Sequence, residues 1–256
     1  MMKTSQRFCL VALTLLFCGA CSLSRKPLPV SLDEKYTEQD ALGMIRASRG
    51  ALAPVYAPLA EQIVADFNLR EKTGIGIDLG SGPGTLIIEL CKRTQFHWVN
   101  ADINPHFFSY FYKQAEECGF GHRVSAVFAD AHSLPFRDDY ADIIISRGSF
   151  HFWKDKVRAF SEIYRVLKPG AVAYIGRGFS QNLSVETAKK IRAKQHGKMN
   201  YDVEKVAAEL HNLMTELGIK EYHIHRPQPP GSEEVNYGIW VEFHKPEANG
   251  SREWKG

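Results

Sequence analysis

The stretch GIGIDLGSGPGTLIIEL, Gly74 to Leu90, decides the fold. It opens as a short apolar run ending at Asp78 and Leu79, turns through glycines 80, 82 and 84, and continues from Thr85 as an apolar helical segment. A buried strand, a glycine turn and a helix in that order bring backbone close to a ligand, because glycine takes backbone angles that a Cβ forbids. The dinucleotide fingerprint G-x-G-x-x-G needs glycine where Thr85 stands, and the phosphate-cradling G-x-x-x-x-G-K-[ST] pattern lacks its lysine. A ligand with few phosphates, or none, is favoured.

Further short apolar runs follow at the same rhythm: HWVNAD (97–102), VSAVFAD (124–130), ADIIIS (141–146) and AVAYIG (171–176), with helical segments between them. Such repetition predicts an α/β domain with a parallel sheet covered on both faces, and ligands in sheets of this kind sit at the carboxyl ends of the strands. Ala41 to Asn68 reads as helix in two pieces, broken around Gly50 and Pro54. DKVRAFSEIYRVLKPG (155–170) reads as an amphipathic helix stopped by Pro169 and Gly170. EYHIHRPQ (221–228) and YGIWVEFHK (237–245) predict a closing antiparallel strand pair.

At DLGSGPG the chain resembles the first motif of class I S-adenosylmethionine-dependent methyltransferases, an acidic residue followed by spaced glycines. VNADINP, FADAHSLPF, ADIIISRGSFHFWKD and EIYRVLKPGAVAYIG resemble the family's later motifs in the family's order, and the style is that of ubiquinone/menaquinone-biosynthesis methyltransferases. The resemblance covers about Leu52 to Gly178 and implies a Rossmann-like, seven-stranded, mostly parallel sheet. It also implies S-adenosylmethionine as cofactor. On it, Asp78, Gly80, Ser81, Gly82 and Gly84 belong to the methionyl end of the cofactor site, Asp102 and Ile103 to the ribose, Asp130 and Ala131 to the adenine, with Ser146 ending the fourth strand beside them. The chemistry suits the residues: a carboxylate at Asp102 accepts from two hydroxyls, and Asp78 offsets an ammonium.

On the acceptor side the loop after the fourth strand carries His151 as a candidate general base and Arg147 as a candidate clamp on an anionic acceptor. A bland alternative packs His151 beside Phe150, Phe152 and Trp153. HFFSYFY (106–112) places Phe107, Phe108, Phe111 and Tyr112 at helical spacing, which predicts core packing rather than substrate stacking. His223 and His225 alternate on one strand face without a third ligand at a recognisable spacing, so no metal is expected. The expected acceptor is a small or lipid-like molecule. A nucleotide-dependent oxidoreductase and a non-catalytic binding lipoprotein are the competing readings.

The 256 residues have room for one such domain, expected over 40–248, and a net charge of +3 among many residues of both signs gives no footing for nucleic-acid binding. Lys3 and Arg7 precede the apolar run FCLVALTLLFCGA (8–20), which is shorter than the about 20 residues a spanning helix needs. Residues 1–21 are therefore expected to be a signal peptide, with CGAC resembling a lipoprotein cleavage site that would leave Cys21 lipidated. Residues 22–39 read as a polar tether and 249–256 as a frayed tail. A membrane-anchored or exported protein follows from this reading; an ordinary secretory signal, or a start at Met44 and a cytoplasmic protein, are its alternatives.

Overall fold

The computed structural model describes residues 36–194, 202–233 and 236–247. The expected signal with Cys21, most of the tether and the tail lie outside the described residues.

The chain enters through α1 (Glu38–Arg49), so the last two residues of the expected tether are helical. Thr37 starts the helix: its hydroxyl accepts from the Asp40 amide at 3.2 Å and the Asp40 carboxylate accepts from the Thr37 amide at 3.1 Å, a reciprocal cap that satisfies two orphan donors. Helix α2 (Ala53–Asp66) follows after a break at Gly50–Leu52. Pro54 is not part of that break. It sits in the first turn of α2, where a missing amide costs nothing.

Five parallel strands follow, β1 (Ile75–Leu79), β2 (His97–Asp102), β3 (Val124–Phe128), β4 (Ala141–Arg147) and β5 (Leu167–Gly178), with α3 (Thr85–Cys91) after β1, α4 (Phe108–Glu117) after β2 and α5 (Lys156–Val166) after β4; between β3 and β4 the expected helical segment is replaced by turns over 129–140. Helices α6 (Val185–Lys194) and α7 (Val203–Glu216) precede the expected closing pair, β6 (Tyr222–His225) and β7 (Gly238–His244), in which β7 runs antiparallel to both β5 and β6. The order across the sheet is β3-β2-β1-β4-β5-β7-β6.

Alternation along the strands divides the core between the two faces. Trp98, Ile143, Ile145, Tyr174 and Trp240 pack under α2, α3 and α4, while Ile77, Val99, Ile144, Ile175 and Val241 pack under α5 and α7. Both faces are therefore dry, as parallel sheets require.

Two local expectations are corrected. Helix α5 ends at Val166, ahead of Pro169 and Gly170, which fall inside β5. Leu167 pairs with Ala141, and the Gly170 amide donates to the Lys245 carbonyl at 2.8 Å, so sheet pairing claims the residues that read as a helix stop. In the aromatic run, Phe107 and Phe111 are buried as expected, but Tyr112 is 39% exposed. Its hydroxyl caps the Ala126 amide of β3 at 2.8 Å instead of entering the core.

Candidate functional site

Strand order reverses between β1, which feeds toward β2 and β3, and β4, which feeds toward β5. The carboxyl ends of these strands face a topological switch point, where crevices form because the connections leave in opposite directions. The register sets Asp78 of β1 beside Asn100 of β2 and Ile145 of β4.

The glycine turn is built from three left-handed residues, with φ of +71° at Gly80, +58° at Gly82 and +73° at Gly84. Their surroundings differ. A Cβ at Gly80 would lie 2.4 Å from that of Ser149, and a Cβ at Gly84 would lie 2.1 Å from Cδ2 of Phe111. Only at Gly82 would a Cβ meet ordinary contacts, with Met44 at 3.7 Å and Phe107 at 3.8 Å. Two of the glycines thus admit protein side chains.

Asp102 ties this turn to β2. The residue is 6% exposed; Oδ2 accepts from the Gly82 amide at 2.7 Å and Oδ1 from the Asn104 amide at 2.8 Å. Burial raises its pKa and these backbone donors oppose the rise. Ile103 follows, half-buried. Asn100 donates to the Gly82 carbonyl at 3.0 Å, and its Oδ1 is buried without a partner among the described residues. Asn100 was not among the expected site residues, although its place two residues before Asp102 on one strand puts both side chains on the same face.

Asp78 is 2% exposed and accepts from the Ser81 hydroxyl at 2.7 Å. Burial pushes its pKa up to about 7, with the neighbouring Asp102 adding to the rise and Ser81 and Arg147 opposing it. A ligand ammonium would pair with the ionised form only. Below about pH 7 one proton must leave when such a cation binds, so affinity is expected to fall about tenfold per pH unit on the acid side and to level off above. Calorimetric titration of S-adenosylmethionine in buffers of different ionisation enthalpy measures that proton.

On the neighbouring strand end, the Ala129 amide donates to the Asp102 carbonyl at 3.0 Å, which brings the third strand's exit alongside the second. Asp130 accepts there from the His132 amide at 2.9 Å and approaches the His132 ring nitrogen to 2.6 Å, while Ala131 is buried in the core. Ser146 is fully buried, with its hydroxyl 2.6 Å from that of Ser149; Ser149 in turn donates to the Leu79 carbonyl at 3.1 Å. The loop after β4 is thereby fastened to the end of β1.

Arg147 ends β4. Its Nε donates to the Gly178 carbonyl at 3.2 Å and its guanidinium lies 5.4 Å from the Tyr56 ring centre. His151 packs against Phe152 at 3.9 Å between ring centres, and its Nδ1 is buried without a partner among the described residues. Burial, reinforced by the positive charges of Arg177 and Lys156, pushes the His151 pKa down to about 4, so the imidazole is neutral at neutral pH. Phe152 is 73% exposed, and the half-exposed Leu42 and Met44 of α1 add apolar surface to the same molecule. Met44 reaches the turn at Gly82, and the Asn104 side chain anchors the start of α1 through the Thr37 carbonyl at 3.2 Å.

A cavity of about 420 Å³ lies elsewhere, lined by Asp66, Asp142, Lys168 and Glu242 among others. None of the expected cofactor residues lines it, and it includes the start rather than the end of β5. No group of residues suited to hold a metal ion occurs among the described residues.

The sheet order and the carboxylate-backed glycine turn define a doubly wound, Rossmann-like domain, the class in which ligands sit at the switch point. Residues 77–175 match the family model described as a methyltransferase domain. A crystal structure from Methanococcus maripaludis, assigned as an S-adenosyl-L-methionine-dependent methyltransferase, is 33% identical with a TM-score of 0.72, over 85% of this chain and 97% of that one. The 2-methyl-6-phytyl-1,4-hydroquinone methyltransferase of Spinacia oleracea is 36% identical over 43% of this chain and 30% of its own. The ubiquinone/menaquinone biosynthesis C-methyltransferase of Vibrio parahaemolyticus is 36% identical over 37% of each. The chain spans about a third of the length of these curated relatives. It belongs to the class I S-adenosylmethionine-dependent methyltransferases, an enzyme family, and the oxidoreductase alternative is set aside.

Proposed function

We propose that this protein binds S-adenosylmethionine at the switch point and methylates a small acceptor of hydroquinone-like character. The observation that carries the reading is the Asp102 carboxylate, fixed by the amides of Gly82 and Asn104, which joins the glycine turn and the end of β2 into one preformed cradle. The donor set fits the cofactor. Each Asp102 oxygen holds one backbone donor and keeps a lone pair for a ribose hydroxyl, Asp78 suits an ammonium, and the unpartnered Asn100 Oδ1 offers a further acceptor at the turn.

When bound, S-adenosylmethionine supplies a methyl group on a positively charged sulfur. The chain's own work is then positioning. Asp78 and Asp102 hold two ends of the ligand, Asp130 with His132 borders a third, and the Ser146–Ser149 link holds the acceptor loop against β1. His151, with its pKa so low, accepts a hydrogen bond without retaining a proton, and we assign it that role in place of a general base. The exposed Phe152 and Met44 supply apolar surface that suits an apolar acceptor body, in keeping with the named substrates of the hydroquinone methyltransferases. Calorimetry with S-adenosylmethionine and S-adenosylhomocysteine on wild type and Asp102→Ala tests the reading, and absence of heat with both ligands on the wild type defeats it.

We further propose that lipidation at Cys21 seats this domain at a membrane surface, near an apolar acceptor. Cell fractionation checks this: wild type is expected with membranes and Cys21→Ala in the soluble fraction, and identical distribution of the two removes the proposal.

A further inference from the structure

Resting on that reading of the site, we propose that the acceptor enters as an oxyanion and is held by Arg147. Arg147 carries a charge with no ion-pair partner among the described residues. Arg147 is part-buried at the end of β4, one residue from Ser146, whose hydroxyl meets Ser149, the side chain that fills the space beside Gly80. It therefore stands at the glycine-turn end of the sheet. Its Nε is committed to the Gly178 carbonyl, and its guanidinium carbon lies over the Tyr56 ring, 5.4 Å from the ring centre. It forms no ion pair among the described residues, and its terminal nitrogens donate to none of them.

A guanidinium held through Nε and lying over an aromatic ring keeps its two terminal nitrogens as a planar fork, the geometry that recognises an oxyanion through two parallel hydrogen bonds. Removing such a charge from water without a partner is costly, and burial lowers the Arg147 pKa accordingly. Asp78 is the acidic group whose charge reaches it, but Asp78 shares its surroundings with Asp102 and is itself pushed toward neutrality. Once a ligand ammonium claims Asp78, Arg147 is left to the acceptor.

Two further basic residues lie on this side. Arg177 adds positive charge beside both Arg147 and His151, and Lys156, ion-paired with Glu209 at 2.9 Å, lies farther along beside His151. An ammonium-bearing acceptor would meet repulsion from Arg147, and a neutral acceptor would leave its terminal nitrogens unfilled. An acceptor methylated on an already ionised oxygen has no proton to lose and needs no protein base, which matches an imidazole too weakly basic to keep a proton. A phenolate and a carboxylate both present the required oxygen.

The test is a binding experiment on the full domain, with S-adenosylhomocysteine titrated first. Heat in that first step reports on the cofactor reading alone. The acceptor step follows at mildly alkaline pH, on the loaded protein or, if no heat was seen, on the free protein, using five aromatic probes of similar size. Benzoate and 4-nitrophenolate carry the oxyanion, benzamide and 4-nitroanisole are neutral, and benzylammonium is cationic. One or both anions are expected to bind at least about 30-fold more tightly than the neutral and cationic probes, and which of them binds distinguishes carboxylate from phenolate. Arg147→Gln is expected to abolish the difference while S-adenosylhomocysteine binding reports an intact fold, and Arg147→Lys to restore part of it. Equal binding of all probes, binding of none, or an anion preference that survives in Arg147→Gln overturns the proposal.

Discussion

Asp102→Ala is expected to weaken S-adenosylmethionine binding by more than about 100-fold, a loss of about 3 kcal/mol or more. The size follows from what the carboxylate does. It would give up charge-assisted hydrogen bonds to the ribose, each contributing about 1.5–3 kcal/mol, and it would also release the Gly82 amide that it holds at 2.7 Å. The Asn104 amide, held at 2.8 Å, would lose its acceptor as well, and Asn104 anchors the start of α1 over the turn. Asp102→Asn separates the two contributions: the amide oxygen still accepts from one backbone donor, so the turn is retained while the charge is removed. An intermediate affinity for Asn, between wild type and Ala, is the expected result by calorimetry. An affinity for Ala within a few-fold of wild type would mean that Asp102 organises the turn without touching the ligand.

The second large effect concerns stability. Gly84→Ala is expected to destabilise the fold by about 2–5 kcal/mol, combining a left-handed backbone penalty of about 1–2 kcal/mol with overpacking of about 1–3 kcal/mol. The backbone part follows from φ of +73°, and the packing part from a Cβ placed 2.1 Å from the fully buried ring of Phe111. Gly119→Ala supplies the comparison, since Gly119 has φ of +77° with nothing within 4 Å of its Cβ position. Urea unfolding of the two variants therefore reads strain alone against strain with a clash. Equal losses would show that Phe111 moves aside at no cost.

These effects also mark where the sequence was legible. Strands β1 to β4 were readable because each is a short apolar run with a polar or glycine residue at its end or within two residues beyond it, a pattern set by burial on both faces and a switch to the ligand side at the carboxyl end. The start of β5 was not, because Pro169 and Gly170 are turn-forming in local terms and only the pairing of Leu167 with Ala141 and of Gly170 with Lys245 makes them strand. The positions of Asp78, Asp102 and Asp130 followed from motif order. What fills the space beside each glycine did not, since Ser149 and Phe111 arrive from elements far along the chain. The Arg147–Tyr56 contact was invisible for the same reason, being a meeting of β4 with α2. Periodicity reports which face of an element is buried, and it carries no record of which distant side chain lies against it.

The filled glycines bear on how freely this turn can be moved. A segment that made its own shape would act as a portable cassette, giving the same loop wherever a strand led into a helix. Here Gly80 is shaped to Ser149 and Gly84 to Phe111. Grafted into a host lacking those two side chains, the identical heptapeptide DLGSGPG would carry its glycines into unfilled space and lose the contacts that select one conformation from the many glycine permits. The motif is therefore one side of a three-part joint, and a working transplant has to carry the β4 loop and the start of α4 along with it.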